Sequence, residues 1–301
     1  MGISMGDMIT TNQNALAALE RDDFNVALEL FRENARKFPC HLALNNLGKF
    51  YFDNGNRMKN GKWRCAQQLG LCYLQKARVI ETNRVNLLNI GTALFTIGNL
   101  GEACNVFKLA EENDLTGIAR YNTGVCLLAA KKYKEAESVF LDLTHQSDNG
   151  LLSLPVEYDP RVALMFSSLL SQSALDYSDR AELVEDVLAI IDDYDKIALL
   201  YFLGRYEELI DLSDLFLDQW IPSVELSAMI LDSAIRINGE KAEKVIERIR
   251  LNSDASVDEM IHSPHLLRKT ALSFNYSAPL IEECGYYGCM QHHTPLPAMS
   301  R

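Results

Sequence analysis

The sequence is short of positive charge. Lysine and arginine number 29 against 41 aspartates and glutamates, so the net charge is −12. Nucleic acids and anionic membrane surfaces are bound mainly through lysine and arginine, because these side chains neutralise phosphates. The charge balance therefore argues against nucleic acid as a partner, and it leaves open a partner that is neutral or basic.

Long hydrophobic runs are also lacking. The longest strongly apolar run covers about residues 197–203, which is too short to span a bilayer. The first residues, MGISMGDMITTNQ, contain no basic stretch followed by an apolar one, so we expect no signal peptide. Seven cysteines, an odd number, lie mostly within helical patterns, which favours buried thiols over a disulfide framework. These features predict a cytoplasmic protein without membrane insertion.

Catalytic arrangements are missing as well. We find no Ser-His-Asp, Cys-His or phosphate-loop pattern with workable spacing, and we predict that the protein is not an enzyme. No segment alternates apolar and polar residues with a period of two, so we expect no strands and an all-α fold.

What the sequence does contain is a repeat. Residues 90–114 align with residues 123–147 at an offset of 33. In this alignment a glycine, a leucine, an alanine and a phenylalanine of the first segment each match the same residue type in the second. In each copy, two amphipathic helices are separated by a short turn. The aligned pairs are Gly91 with Gly124, Leu94 with Leu127, Ala103 with Ala136 and Phe107 with Phe140, and an earlier copy has Phe24, Ala27, Phe31 and Pro39.

This pattern resembles the tetratricopeptide repeat family, in which a small residue and glycine lie in the first helix and Ala-x3-Phe-x2-Ala in the second. The resemblance is clear for residues 11–40, 83–115 and 116–147. A further copy between the first two departs from the pattern, with Leu47, Gly48 and Tyr51 in its first helix. The resemblance implies a right-handed superhelical solenoid of antiparallel helix pairs, because a single pair cannot bury its apolar face alone.

The repeat weakens outside these copies, and we predict three regions. Residues 1–147 form the repeats, with an insertion near 56–64 that is either a surface loop or a functional loop over the groove. Residues 148–252 form degenerate helical repeats that continue the solenoid, and Gly204-Arg205-Tyr206 matches the turn within a repeat. Residues 253–301 form a cap, with a helix from Pro264 to about Phe274, and a tail containing cysteine and histidine.

An Asn-x-Gly triplet recurs in the first helix of three copies, beginning at Asn46, Asn89 and Asn122. In the repeat, this asparagine lies one turn into the helix that lines the concave face, and Gln13 and Asp195 occupy the matching places in two other copies. An asparagine amide can donate and accept, so it can bond both sides of a peptide unit. The resemblance implies an asparagine ladder for an extended peptide, as in some peptide-binding members. The alternative is that each amide bonds only to backbone between helices.

Neighbouring residues on these helices complete a candidate groove. Lys49 and Arg120 are its positive charges, and with Asn46 they could hold a carboxylate, as in family members that clamp a C-terminal carboxylate; Lys49 is alternatively a solvated helix charge. The predicted peptide-binding residues are Asn46, Lys49, Asn89, Thr92, Arg120 and Asn122.

The last residues concentrate metal-ligand side chains in the spacing Cys-x4-Cys-x2-His-His, formed by Cys284, Cys289, His292 and His293. Two thiolates and two imidazoles suit zinc, although adjacent histidines rarely ligate one ion, and His262 or His265 could supply a ligand instead. Other interpretations are a poorly ordered tail, or a peptide that is modified by an enzyme or folded back into the protein's own groove.

Together these observations predict a non-catalytic scaffold or adaptor that grips an extended segment through an asparagine ladder, with no cofactor apart from possible zinc. The alternative is a solenoid platform whose cysteine- and histidine-containing tail binds a metal or is the substrate of a modifying enzyme.

Overall fold

The fold is described from a computed structural model, which covers residues 5–55, 63–152, 154–155, 158–171, 181–217, 223–252, 260, 262–274 and 276–289. Within these ranges all fifteen regular elements are α-helices, so the all-α prediction is confirmed. The chain forms two compact units. The first contains residues 1–160 and 278–301, and the second contains residues 161–277.

The first unit is a solenoid of four helix pairs, in which each helix packs on the next. Short turns join the helices of a pair and make them antiparallel. The helices are α1 (Met5–Glu20), α2 (Phe24–Lys37), α3 (His41–Asn54), α4 (Trp63–Ile80), α5 (Arg84–Thr96), α6 (Leu100–Glu111), α7 (Ile118–Ala129) and α8 (Tyr133–Asp148).

The turns inside the pairs share one backbone conformation. Asp22, Gly98 and Lys131 all have positive φ, at 59°, 84° and 59°. Only Gly98 adopts this left-handed region without steric cost. The recurrence of a positive-φ residue at the same place in three pairs shows that the repeat in the sequence is also a repeat in the backbone.

The repeated glycines allow close packing against the repeated phenylalanines. A Cβ atom on Gly91 would lie 2.5 Å from the Phe107 ring, and one on Gly124 would lie 2.6 Å from the Phe140 ring. In the second pair the contact is between backbones, because a Cβ on Gly48 would lie 2.8 Å from the Gly70 carbonyl oxygen. The glycine and the aromatic residue are therefore one packing unit in α5–α6 and in α7–α8.

In the described residues of the second unit, seven helices have defined bounds, and the first residue of α9 belongs to the first unit. Gly204, in the turn between α11 and α12, has φ of 73°, like the turns of the first unit. The helices are α9 (Pro160–Leu170), α10 (Ala181–Ile190), α11 (Asp193–Phe202), α12 (Tyr206–Phe216), α13 (Val224–Ile237), α14 (Glu240–Asn252) and α15 (Pro264–Ala271).

The predicted limits of 147 and 252 concern where the repeats end and stay a prediction, whereas the compact units divide the chain by packing. The structural limits fall at 160 and 277, because the chain from Ala278 onward belongs to the first unit. Of the predicted insertion, residues 56–62 lie outside the described residues. In the described part of the chain, no helix is both long and apolar enough to cross a membrane.

Candidate functional site

The chain's own residues 278–289, here called the tail segment, lie along the first helices of the four pairs. The tail segment is not helical, and it makes hydrogen bonds to α1, α3, α5 and α7. The surface formed by these four helices is here called the groove.

Two asparagines of the predicted ladder each bond both backbone groups of one tail residue. The Asn122 side chain donates to the Ile281 carbonyl at 3.0 Å and accepts from the Ile281 N–H at 2.8 Å. Asn46 does the same with Tyr287, at 3.0 Å and 2.8 Å. Both asparagines are buried, so these bonds are made away from water.

Three more asparagines donate to carbonyl groups of the tail segment, at Gly285 and at Tyr287. Asn89 and Asn45 donate to the Gly285 carbonyl at 2.9 Å and 2.8 Å. Asn12 donates to the Tyr287 carbonyl at 2.8 Å. The tail segment therefore runs from α7 toward α1, opposite to the order of the repeats.

Asn12, and not Gln13, holds the matching place in α1. Asn12 is 4% exposed, whereas Gln13 is exposed. One residue turns a helix by about 100°, so a register error of one moves a side chain off the groove face. The sequence signal that could have identified Asn12 is the apolar spacing of α1, in which Met8 and Leu16 lie four residues to either side of it.

The asparagines also bond to one another across helices, through their side chains, whereas the alternative interpretation expected bonds only to the backbone between helices. Asn46 donates to the Asn12 oxygen at 2.7 Å, and Asn89 donates to the Asn45 oxygen at 3.0 Å. These bonds join α1 to α3 and α3 to α5. This network fixes the orientations of the amides and so pre-organises them for a peptide backbone.

Gly285 lies where the tail segment comes nearest to α5. A Cβ atom at this position would overlap the Asn89 side-chain amide. Since Asn89 is also bonded to Asn45, its amide has little room to move aside. The groove therefore leaves no space for a side chain at residue 285.

Arg84, the first residue of α5, forms the main charged contact with the tail segment. Its two terminal nitrogens donate to Glu283 at 2.7 and 2.9 Å, and its Nε donates to Asp114 at 2.9 Å. Burial alone would lower the pKa of Arg84, but the bonds and charges of Glu283 and Asp114 outweigh it and raise the pKa. Arg84 lies outside the asparagine triplets, and sequence reasoning missed it.

Asp114 holds the Arg84 guanidinium in place. Its carboxylate is 1% exposed and also accepts from the Thr116 and Ala119 amides, at 3.0 and 2.6 Å. Burial raises the pKa of Asp114, but the bonds from Thr116 and Ala119 and the Arg84 charge prevail and lower it. Asp114 is therefore a fixed anion that orients Arg84 toward the tail segment.

Two tyrosines of the tail segment fill separate apolar pockets. Tyr286 stacks on Phe31, with ring centroids 5.9 Å apart, and its hydroxyl donates to Asp53 at 3.2 Å. Tyr287 packs among Met8 and Leu42, and its hydroxyl donates to Asn83. Burial, together with the Asp53 charge, raises the pKa of Tyr286 well above its ordinary value.

A family comparison agrees with this architecture. The tetratricopeptide repeat model matches residues 12–56 and 88–150, which include the groove helices. These two regions are therefore similar to tetratricopeptide repeats. Repeats of this family generally mediate protein–protein interactions and are typically not catalytic.

A crystal structure of a tetratricopeptide repeat protein from Parabacteroides merdae ATCC 43184 is similar to this chain, with a TM-score of 0.57 and 16% sequence identity. The alignment covers 85% of this chain and 97% of that one. At this identity the likeness shows the fold alone. No curated protein matches the chain.

The other predicted residues of the tetratricopeptide groove have different surroundings. Lys49 is 9% exposed and donates to Asp53 at 3.0 Å, and it borders the tail segment together with Thr92. Arg120 pairs with Asp142 of α8. The carboxylate that the groove holds is that of Glu283, and Arg84 binds it.

The predicted metal ligands are only partly described. The thiols of Cys284 and Cys289 are hydrogen-bonded to each other. Burial raises the pKa of Cys284 to about 11, and the neighbouring Cys289 adds to this increase, whereas a hydrogen bond from the Tyr286 backbone opposes it. His292 and His293 lie outside the described residues, and His262 and His265 lie in the second unit. Among described residues, no group of three or more metal-ligand side chains is suitably placed. Zinc stays a prediction.

Proposed function

We propose that the groove is a binding site for an extended peptide segment of a partner protein, and that the chain is a non-catalytic adaptor. The observation that carries this proposal is the pair of two-way bonds that Asn122 and Asn46 make with the backbone of Ile281 and Tyr287. These bonds use only groups that every residue except proline possesses. At these two positions the bonds do not depend on the side chain of the bound residue.

The tail segment is the occupant in this structure, and it competes with any partner. A tethered segment acts at an effective concentration on the order of millimolar. An external peptide of equal intrinsic affinity therefore binds only to the small fraction of molecules whose groove is open, and its apparent affinity falls by that fraction. Partner binding is expected to be weak until the tail segment leaves.

The proposal is tested with a full-length variant whose tail segment is displaced. Gly285→Ala places a methyl group against Asn89 while leaving every groove residue unchanged. A fluorescent peptide of residues 278–289 is titrated into this variant under reducing conditions, and binding is followed by anisotropy. We expect saturable binding, at an apparent affinity about 100-fold tighter than for the unmodified chain, if the tail fills the groove about 99% of the time.

The ladder is then removed from the same variant. Adding Asn89→Ala and Asn122→Ala should weaken peptide binding by about 2–4 kcal/mol, or roughly 30- to 1000-fold, because each removes one or two buried hydrogen bonds. Asn113→Ala, at an exposed position, is the matched control and should change nothing. Equal binding with and without the ladder asparagines would contradict the proposal.

A further inference from the structure

We infer that the groove selects partner segments in which an acidic residue precedes a glycine by two positions and two tyrosines follow the glycine directly. This inference rests on the proposed function, and it names the chemistry of the partner. It treats Glu283, Gly285, Tyr286 and Tyr287 as a copy of the partner's recognition sequence held within the chain.

The acidic position is selected by Arg84, whose guanidinium is held in a fixed orientation. Asp114 and Thr116 hold two sides of the Arg84 guanidinium, at 2.9 and 3.0 Å, and leave its terminal nitrogens directed at Glu283. Two parallel N–H···O bonds match a carboxylate and no uncharged side chain equally well. With the Arg84 side chain only 20% exposed, an apolar or basic residue there leaves donors without a partner or brings like charges together.

The glycine position is selected by exclusion. The Asn89 amide occupies the space of a side chain, and its bonds to Asn45 and to the Gly285 carbonyl keep it there. Any larger residue must displace the amide and break both bonds. The ladder bonds read only backbone, but at this point they also impose a sequence requirement.

The tyrosine positions combine apolar pockets with polar ends. Tyr286 joins the buried cluster that contains Phe31 and Phe50, and its hydroxyl reaches Asp53. Tyr287 lies edge-on to His41, with ring centroids 5.9 Å apart, and its hydroxyl reaches Asn83. Rings fill both pockets, and each hydroxyl donates to an oxygen at the end of its pocket.

Two neighbouring positions carry no such requirement. Pro279 and Glu282 are exposed, whereas Ala278 and Ile281 beside them are buried. Both positions provide controls within the same peptide. Glu282 is the closer control, because it is a carboxylate directly beside Glu283.

The experiment compares peptides on the tail-displaced Gly285→Ala full-length chain. The parent peptide of residues 278–289 is measured beside versions with Glu283→Lys, Gly285→Ala, Tyr286→Ala or Tyr287→Ala, and beside controls with Glu282→Lys or Pro279→Ala. We expect each of the first four to weaken binding at least about tenfold, from a lost charged pair, an overlap or an emptied pocket. The two controls should stay within about threefold, since surface changes have small effects.

Each outcome decides a separate question. Equal binding of all peptides would leave the proposed function standing and overturn the inferred selectivity. Absence of parent binding, in a chain whose tail has left the groove, would contradict the proposed function itself. Departure of the tail is read from alkylation of Cys289, which is 8% exposed when the tail segment is bound.

Alkylation of Cys289 also shows whether Gly285→Ala has displaced the tail segment. If Cys289 stays protected in Gly285→Ala, a side chain fits beside Asn89 and the inference is wrong at its glycine position. If circular dichroism shows lost helicity, Glu283→Lys replaces it as the displacing change, because it sets a positive charge against Arg84.

Discussion

Arg84 and Glu283 are 199 residues apart in sequence, yet they meet through two hydrogen bonds of 2.7 and 2.9 Å. Arg84 begins α5, in the middle of the repeats, and Glu283 lies in the tail segment. This contact, with the five asparagine contacts beside it, explains why the end of the described chain belongs to the same compact unit as the first helices.

A double-mutant cycle on this pair should show coupling. With Arg84→Ala, Glu283→Ala and the double variant, we expect an interaction energy of about 1–3 kcal/mol, since the pair is partly buried and bidentate. The quantity measured is the free energy of local opening of residues 278–289, from hydrogen exchange read by mass spectrometry. Glu282→Ala, one residue away and exposed, should leave exchange unchanged. An interaction energy of zero would mean that Arg84 does not hold the tail segment through Glu283.

Loss of one ladder amide should open the tail segment locally. In Asn122→Ala the Ile281 N–H loses its acceptor, so its exchange should speed up by about tenfold or more, for a loss of at least about 1.4 kcal/mol. The Tyr287 N–H, bonded to Asn46, should change less. Exchange is followed residue by residue with electron-transfer fragmentation. Unchanged exchange at Ile281 would show that Asn122 contributes nothing to holding the tail.

The repeat glycines should not tolerate a methyl group. Gly91→Ala forces the Phe107 ring to move, because the new Cβ would lie 2.5 Å from it, and overpacking of this kind costs about 1–3 kcal/mol. We expect a lower midpoint of thermal unfolding by circular dichroism. Gly101→Ala is the control, since its new Cβ meets nothing within 4 Å in an exposed part of α6. That change should be neutral or stabilising by up to about 1 kcal/mol.

Asp195, in α11 of the second unit, should make stability depend on pH. Burial, with the Asp192 charge adding to it, raises the pKa of Asp195 from its ordinary 3.8 to about 6. The folded state therefore binds this proton more tightly than the unfolded state, so the contribution to stability is full below pH 3.8 and is lost as pH rises through about 6.

Asp195→Asn removes the charge and should stabilise the protein at pH 7 by about 1–3 kcal/mol. At pH 4 the two proteins should differ little, which provides the internal control. Urea unfolding at both pH values measures the change. A stabilisation that is the same at both would show that ionisation of Asp195 is not its cause.

Much of the fold could be predicted from sequence because the relevant contacts are local. Gly91 and Phe107 belong to one helix pair, and their spacing returns at Gly124 and Phe140, so the period reveals the packing. The inward direction of Asn46, Asn89 and Asn122 followed from their constant place in the repeat. Asn12 was missed because α1 carries no Asn-x-Gly triplet to set its register.

By itself, the sequence determined the helices, the four pairs and a line of amides on one face, since each depends on a period of 3.6 or about 33 residues. Only the tertiary structure decided what those amides bind. The contacts of Asn122 with Ile281 and of Asn12 with Tyr287 span 159 and 275 residues, and no repeating pattern links their positions. They arise from the fit between two surfaces that exist only after the helices have packed, and periodicity does not encode that fit.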